Sequence, residues 1–226
     1  MRLVFIIFLL AHNIASLAQN RETQFVWEAE TAADYKISSS WSTNTSIGKR
    51  SIWYSEENSS LSGELRFIEV NQFATYKVNI DTKVSFGYKY RKTEPFESTD
   101  EREHRTTQQI STTHYDRALR LASRLRTEQR FRNDSFEHRY RYRIAGDLPL
   151  SGQELNTREF YVTVTEEILL SYESGDHAWD NRLGVVLGYT LRKAKVQFGI
   201  TYRLEDLNRN TNDFVFISTG AYLSLN

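Results

Sequence analysis

The stretch Leu119 to Arg132, LRLASRLRTEQRFR, decides the fold. Its even positions are Arg120, Ala122, Arg124, Arg126, Glu128, Arg130 and Arg132; its odd positions are Leu119, Leu121, Ser123, Leu125, Thr127, Gln129 and Phe131. A strand sends successive side chains to opposite faces, so one face here is arginine-rich and the other mostly apolar. The run is long for a strand of a soluble domain. The next segment repeats the pattern, with Glu137, Arg139, Arg141 and Arg143 opposed to Phe136, Tyr140, Tyr142 and Ile144. The apolar faces need an apolar neighbour, and the arginines need water or acids. A membrane-spanning barrel with a charged interior meets both needs.

The same two-residue period recurs outward from this stretch. Val84, Phe86, Tyr88 and Tyr90 alternate with Lys83, Ser85, Gly87, Lys89 and Arg91. Leu183, Val185, Leu187, Tyr189 and Leu191 alternate with Arg182, Gly184, Val186, Gly188 and Thr190, and the segment from Lys195 to Leu204 behaves alike. Each stripe is apolar through its middle and often carries tyrosine toward one end, as an aromatic girdle at a lipid boundary would. Eleven strands are clear, near 24–31, 34–44, 63–79, 82–92, 103–113, 117–132, 135–145, 158–172, 181–192, 195–205 and 212–225, with a further short one near 50–55. The reading is all-β: a single antiparallel up-and-down barrel of 10–12 strands. Ten or twelve is expected, because a standard bacterial barrel is even-stranded with both termini in the periplasm. Tight links around 79–81, 114–116 and 193–194 alternate with longer ones at 58–62, 93–102, 174–180 and 206–212; the link at 146–156 breaks that alternation.

Residues 1–18 read as a signal peptide. Arg2 is its positive end, Leu3 to Ala11 its apolar run, and Ser16-Leu17-Ala18 its cleavage site. The run is too short for a spanning helix. Residues 19–226 then form one barrel domain. The chain has no cysteine, which excludes disulfides and cysteine-based metal sites. No second long apolar run exists, which excludes a helical membrane bundle. Basic and acidic residues balance at 29 each, and no nucleic-acid partner is expected. Aromatic residues make up 13% and proline only two positions, which suits a strand-rich chain.

The run from Arg120 to Arg132, the RYRYR of Arg139 to Arg143, Leu148-Pro149-Leu150, and Asn181-Arg182-Leu183-Gly184 with Gly188-Tyr189 resemble the domain-of-unknown-function 2490 family. The resemblance covers most of residues 19–226 and is sharpest from Glu103 to Tyr202. It implies an outer-membrane β-barrel of a Gram-negative bacterium, without an established activity or catalytic residues. The family's acidic-aromatic element before the late arginine is matched only loosely here, by Val164 to Leu170.

The candidate site is the charged face: Arg120, Arg124, Arg126, Arg130, Arg139, Arg141, Arg143 and Arg182, with Glu128, Glu137, Glu159 and Glu167 as partners. It reads either as an anion-binding lumen or as an ion-pair network that nearly fills a narrow one; the matched totals favour the network. No catalytic, cofactor or metal site is expected. His104-Arg105-Thr106 faintly resembles the His-x-Ser of lipid A deacylases but lacks the serine, and His177 lies in an acidic loop. The expected partners are outer-membrane lipid and, during insertion, the barrel-assembly machinery. A lipid-modifying enzyme and a soluble exported ligand-binding barrel are the alternatives. The soluble barrel requires the apolar stripes to turn inward, so the direction of Arg124 and Leu125 separates it from the first reading.

Overall fold

A computed structural model describes residues 23–55, 60–97, 101–116, 118–209 and 211–225; the expected signal segment lies outside them. Eleven strands form one closed barrel: β1 (Thr23–Lys36), β2 (Trp41–Ser55), β3 (Ser60–Lys77), β4 (Thr82–Thr93), β5 (Arg102–Asp116), β6 (Leu119–Arg132), β7 (Phe136–Pro149), β8 (Phe160–Glu173), β9 (Asp176–Thr190), β10 (Ala194–Glu205) and β11 (Asn212–Ser224). Every sequence-adjacent pair is antiparallel. The barrel closes through a parallel pairing of β1 with β11, in unbroken register from Thr23↔Asp213 to Asp34↔Ser224.

The expectation of an even count is therefore corrected. With eleven strands, β1 and β11 run the same way, and Thr23 and Ser224 lie at opposite ends of the barrel. The ambiguity near the N-terminus resolves without adding a strand. Residues 34–44 are not one strand but the two arms of a turn, in which Ile37 N and Ser38 N donate to Trp41 O at 2.9 and 3.0 Å. Ser38 Oγ accepts from Trp41 N at 3.1 Å and braces the same turn. The short strand near 50–55 is the far end of β2, displaced by register shifts beside Arg50 and Trp53. The long link expected at 174–180 shrinks to Ser174 and Gly175, because β8 and β9 stay paired up to Glu173↔Asp176. Both turn residues have positive φ, 54° and 86°, the conformation a two-residue hairpin with the right-handed strand twist requires.

The burial pattern is inside-out relative to a soluble domain. Leu125 is 50% exposed, while Glu128 on the opposite face of β6 is 1% exposed. Ile47, Val70, Phe86, Ile110, Tyr142, Ile168, Val185 and Ile200 share the outward face and are exposed. They pair across the sheet, as in Ile110↔Leu125, Leu125↔Tyr142, Tyr142↔Ile168 and Val185↔Ile200, and so form a belt. The inward face buries Glu103, Arg105, Glu128, Arg130, Glu137, Glu167 and Arg203 together with a few apolar residues such as Leu169 and Phe67.

Gly87 and Gly188, on the inward face, have aromatic rings laid across them. A Cβ at Gly188 would stand 2.2 Å from the Tyr161 ring, its cross-strand partner, and one at Gly87 would stand 2.3 Å from Phe73. The missing side chain makes room for the ring, and the ring covers the bare backbone. Gly188→Ala is therefore expected to destabilise the folded barrel by roughly 1–3 kcal/mol through overpacking. Adding Tyr161→Ala should recover part of that loss. Denaturant unfolding of the single and double variants checks this; strictly additive losses would mean that ring and glycine are not coupled.

Candidate functional site

The alternation of β5, β6 and β7 carries every second side chain into the lumen, and acids and arginines there interlock across strands. Glu128 takes three guanidiniums: Arg141 Nη1 at 2.9 Å, Arg105 Nη1 at 3.3 Å and Arg126 Nη1 at 3.4 Å. Glu137 takes Arg130 and Arg132 at 2.6 Å and Arg139 at 2.7 Å. Glu103 holds Arg130 at 2.5 Å and also pairs with Arg105. Glu167 holds Arg141 at 2.5 Å and Arg124 at 3.1 Å. Arginine suits these positions because its planar fork engages two or three carboxylates at once. Water exclusion raises the stakes, since removing one partner of a buried pair costs about 3–5 kcal/mol.

Other strands extend the network. Glu28 on β1 bonds Arg50 and, at 2.8 Å, Arg203. Glu69 on β3 bonds Lys89 at 2.5 Å and Arg91 at 2.6 Å. Arg182 lies 3.5 Å from Glu205 and 3.7 Å from Asp180. Arg120 pairs with Asp147. Aromatic faces complete the coordination: Arg91 lies 3.7 Å over Phe67 and Arg203 3.4 Å over Phe216.

Of the residues expected in the lumen, Arg120, Arg124, Arg126, Glu128, Arg130, Glu137, Arg139, Arg141, Arg143, Glu167 and Arg182 occupy inward positions of the barrel. Glu159 does not join them and is corrected. It lies in the connection before β8 and accepts from the Asn156 backbone N–H at 2.9 Å. Its carbonyl still accepts from Thr190 N at 3.0 Å, at the very end of the β8–β9 pairing, but its carboxylate is held by the link and not by a lumen arginine. The sequence reading missed Glu103, Glu28, Glu69 and Asp147 as the acids, and Arg105 and Arg203 among the bases. Their signal was the same alternation, as in Glu103-x-Arg105 and Lys89-x-Arg91, but which acid meets which base is set by strands far apart in sequence.

The lumen is not filled. A cavity of about 730 Å³ occupies the half nearer Thr23, and a second of about 1240 Å³ opens toward Ser224. Fourteen arginines and lysines line the first against four glutamates, because Glu103, Glu128, Glu137 and Glu167 stand behind the guanidinium heads. Arg124 and Arg143 are the two residues that line both cavities. They face each other directly across the β6–β7 ladder.

The histidines lie elsewhere. His104 is on the outward face, its Nδ1 2.6 Å from the Tyr88 hydroxyl, and Thr106 beside it donates to Gln129 at 2.6 Å. His177 is the second residue of β9, next to the tight turn, with its ring near Tyr172. Among the described residues no group of three His, Asp or Glu side chains is placed to hold a metal ion. The apolar outer face also carries a carboxylate, Glu166, which accepts from Asn181 Nδ2 at 2.5 Å.

No curated protein matches the chain. Among solved structures, the siderophore receptor PirA from Pseudomonas aeruginosa overlaps with a TM-score of 0.32 and 17% identity, over 80% of this chain and 34% of that one. The chain thus spans about a third of that receptor's length. The family model described as a protein of unknown function (DUF2490) matches residues 26–215, and the chain with its arginine-lined barrel belongs to that family.

Proposed function

We propose that the chain is an outer-membrane β-barrel whose charged lumen is a structural ion-pair framework that admits small anions, and that it is not an enzyme. One observation carries the reading: apolar side chains face outward at mid-strand around the barrel while the arginines face inward. An apolar belt of this extent is far larger than the patches monomeric soluble proteins expose. Aromatic pairs flank the belt at both ends. Phe25 with Tyr54 and Phe131 with Phe136 lie toward Thr23; Trp41 with Tyr76 and Phe160 with Tyr189 lie toward Ser224. On β2, which carries a member of each girdle, Trp41 and Tyr54 stand thirteen positions apart, enough for a tilted strand to cross a bilayer. Eleven strands do not contradict the proposal, since odd-stranded membrane barrels exist. The soluble ligand-binding alternative needs an apolar interior, and the burial runs the other way. A lipid-modifying role would need a nucleophile beside His104, whose neighbours Tyr88 and Thr106 are already engaged. In this reading the partners are outer-membrane lipid and the barrel-assembly machinery.

The location is tested by fractionation: recovery with outer membranes and heat-modifiable migration on gels are expected. Folded protein in the soluble periplasmic fraction without detergent would overturn the proposal.

The two faces can be tested separately. Leu125→Arg should harm insertion more than Arg124→Leu, because an arginine facing lipid near mid-membrane costs roughly 2–4 kcal/mol in a β-barrel. Arg124→Leu removes one of the two guanidiniums on Glu167, and Arg141 still holds that carboxylate. Folding yield into lipid vesicles, scored by protease protection, measures both. Equal damage, or more from the Arg124 change, would contradict the assignment of faces.

Conduction should be small. The two cavities meet at Arg124 and Arg143 rather than in an open pore. Planar-bilayer recording is expected to give little steady current, with anions favoured in what remains. A large, stable, cation-selective conductance from the unmodified protein would refute both parts.

A further inference from the structure

The facing pair Arg124 and Arg143 is the least compensated part of the charged interior. Among the described residues no carboxylate stands within ion-pair distance of Arg143, and Arg124 shares Glu167 with Arg141. The next rung repeats the like-charge arrangement, with Arg126 directly opposite Arg141. Four guanidiniums thus stand in two facing pairs, and their ion-pair partners are two carboxylates, Glu128 and Glu167. Glu128 is shared besides with Arg105. The local surplus is at least two positive charges. Like charges directly opposite on a ladder repel and destabilise the sheet. An anion held between them reverses the sign of that interaction.

We infer that the barrel carries a binding site for a small dianionic oxyanion, centred on the Arg124–Arg143 pair where the two cavities meet. The inference rests on the reading of the arginine face as the lining of an aqueous lumen. Three features fix the class of ligand. The surplus of two charges matches a dianion. The guanidinium fork matches a pair of oxygens on one centre, as in phosphate, sulfate or a carboxylate. The site opens into both cavities, of about 730 and 1240 Å³, so a small solute reaches it from either end. Glu167 competes with the ligand, since it accepts from Arg124 at 3.1 Å at the edge of the same site.

The test uses the full-length chain after its natural processing, purified as the folded barrel and titrated at matched ionic strength by calorimetry. The probes are inorganic phosphate, sulfate and succinate, with nitrate and chloride as monoanions. Saturable binding of a dianion, about tenfold or more tighter than either monoanion, is expected for two guanidinium partners. Phosphate and sulfate above succinate would identify a tetrahedral ligand; the reverse order would identify a dicarboxylate. Arg143→Gln should weaken binding about tenfold or more, and Arg143→Lys by less, because the charge stays and the fork is lost. Glu167→Gln should tighten binding, an effect that a merely structural role for the arginines does not produce. Arg66→Gln, at the rim on Glu64 and Glu94, should leave it unchanged. Equal response to all anions, or an unaltered titration with both Arg143 variants, would overturn the inference. Failure of the membrane reading is separate, since it appears in fractionation and leaves these titrations interpretable on a soluble barrel.

Discussion

The structure depends on keeping a dense set of arginines hydrated or paired while every second residue beside them is apolar. Glu128 shows the constraint at its most severe. It is almost wholly shielded from solvent, and three guanidiniums converge on it. A carboxylate buried there without those arginines would be heavily penalised, and so would the arginines without it. Neither can be placed until the strands are in register. Because the side-chain period is two, a slip of one residue in β6 would move Arg124, Arg126 and Arg130 to the face of Leu125. The charge pattern thus specifies register more sharply than hydrophobic alternation would alone.

The fold was readable because this period is long and unbroken in most strands. The segments from β4 to β11 emerge from the alternation with ends displaced by a few residues, and the links at 79–81 and 193–194 are where turns form. The failures have local causes. Asp34 to Asn44 alternates well enough to pass for one strand, and the turn shows only in its hydrogen bonds, from Ile37 N and Ser38 N to Trp41 O and from the following backbone to Ser38 Oγ. Ser174-Gly175 was hidden in a polar run, because Asp176, His177 and Asp180 look like loop residues although β9 pairs through them. The even strand count came from the habit of the class, not from any residue of this chain.

The candidate site was legible as a face but not as a set of contacts. Alternation identifies Arg124, Arg141 and Arg143 as inward, and nothing local says that Arg143 lacks an acid while Arg141 has two. That difference is a matter of which strands become neighbours. Glu159 was assigned as a partner because the alternation reads as a strand over 158–172, whereas β8 begins one residue later, at Phe160, and the Glu159 carboxylate turns back onto Asn156. The equal totals of acids and bases were also misleading, since they are equal over the whole chain and unequal along the cavity wall.

The parallel closure of β1 on β11 explains why Glu28 matters beyond its own strand. Parallel pairing is slightly weaker per residue than antiparallel, and here it is the one place where no hairpin ties the neighbours together. Glu28 bonds Arg50 on β2 at one side and Arg203 on β10 at the other, so a single carboxylate bridges across β11 and spans the seam. Phe216 on β11 lies beneath both guanidiniums, 3.4 Å from Arg203 and 4.9 Å from Arg50. On the outer face, Trp27 donates its indole N–H to Thr219 across the same seam at 3.2 Å. The joint is therefore fastened on both faces, by charge and ring stacking within and by an indole without. What a covalent turn provides between the other strands is provided here by side chains, and the ion-pair network that divides the lumen also helps hold the barrel closed.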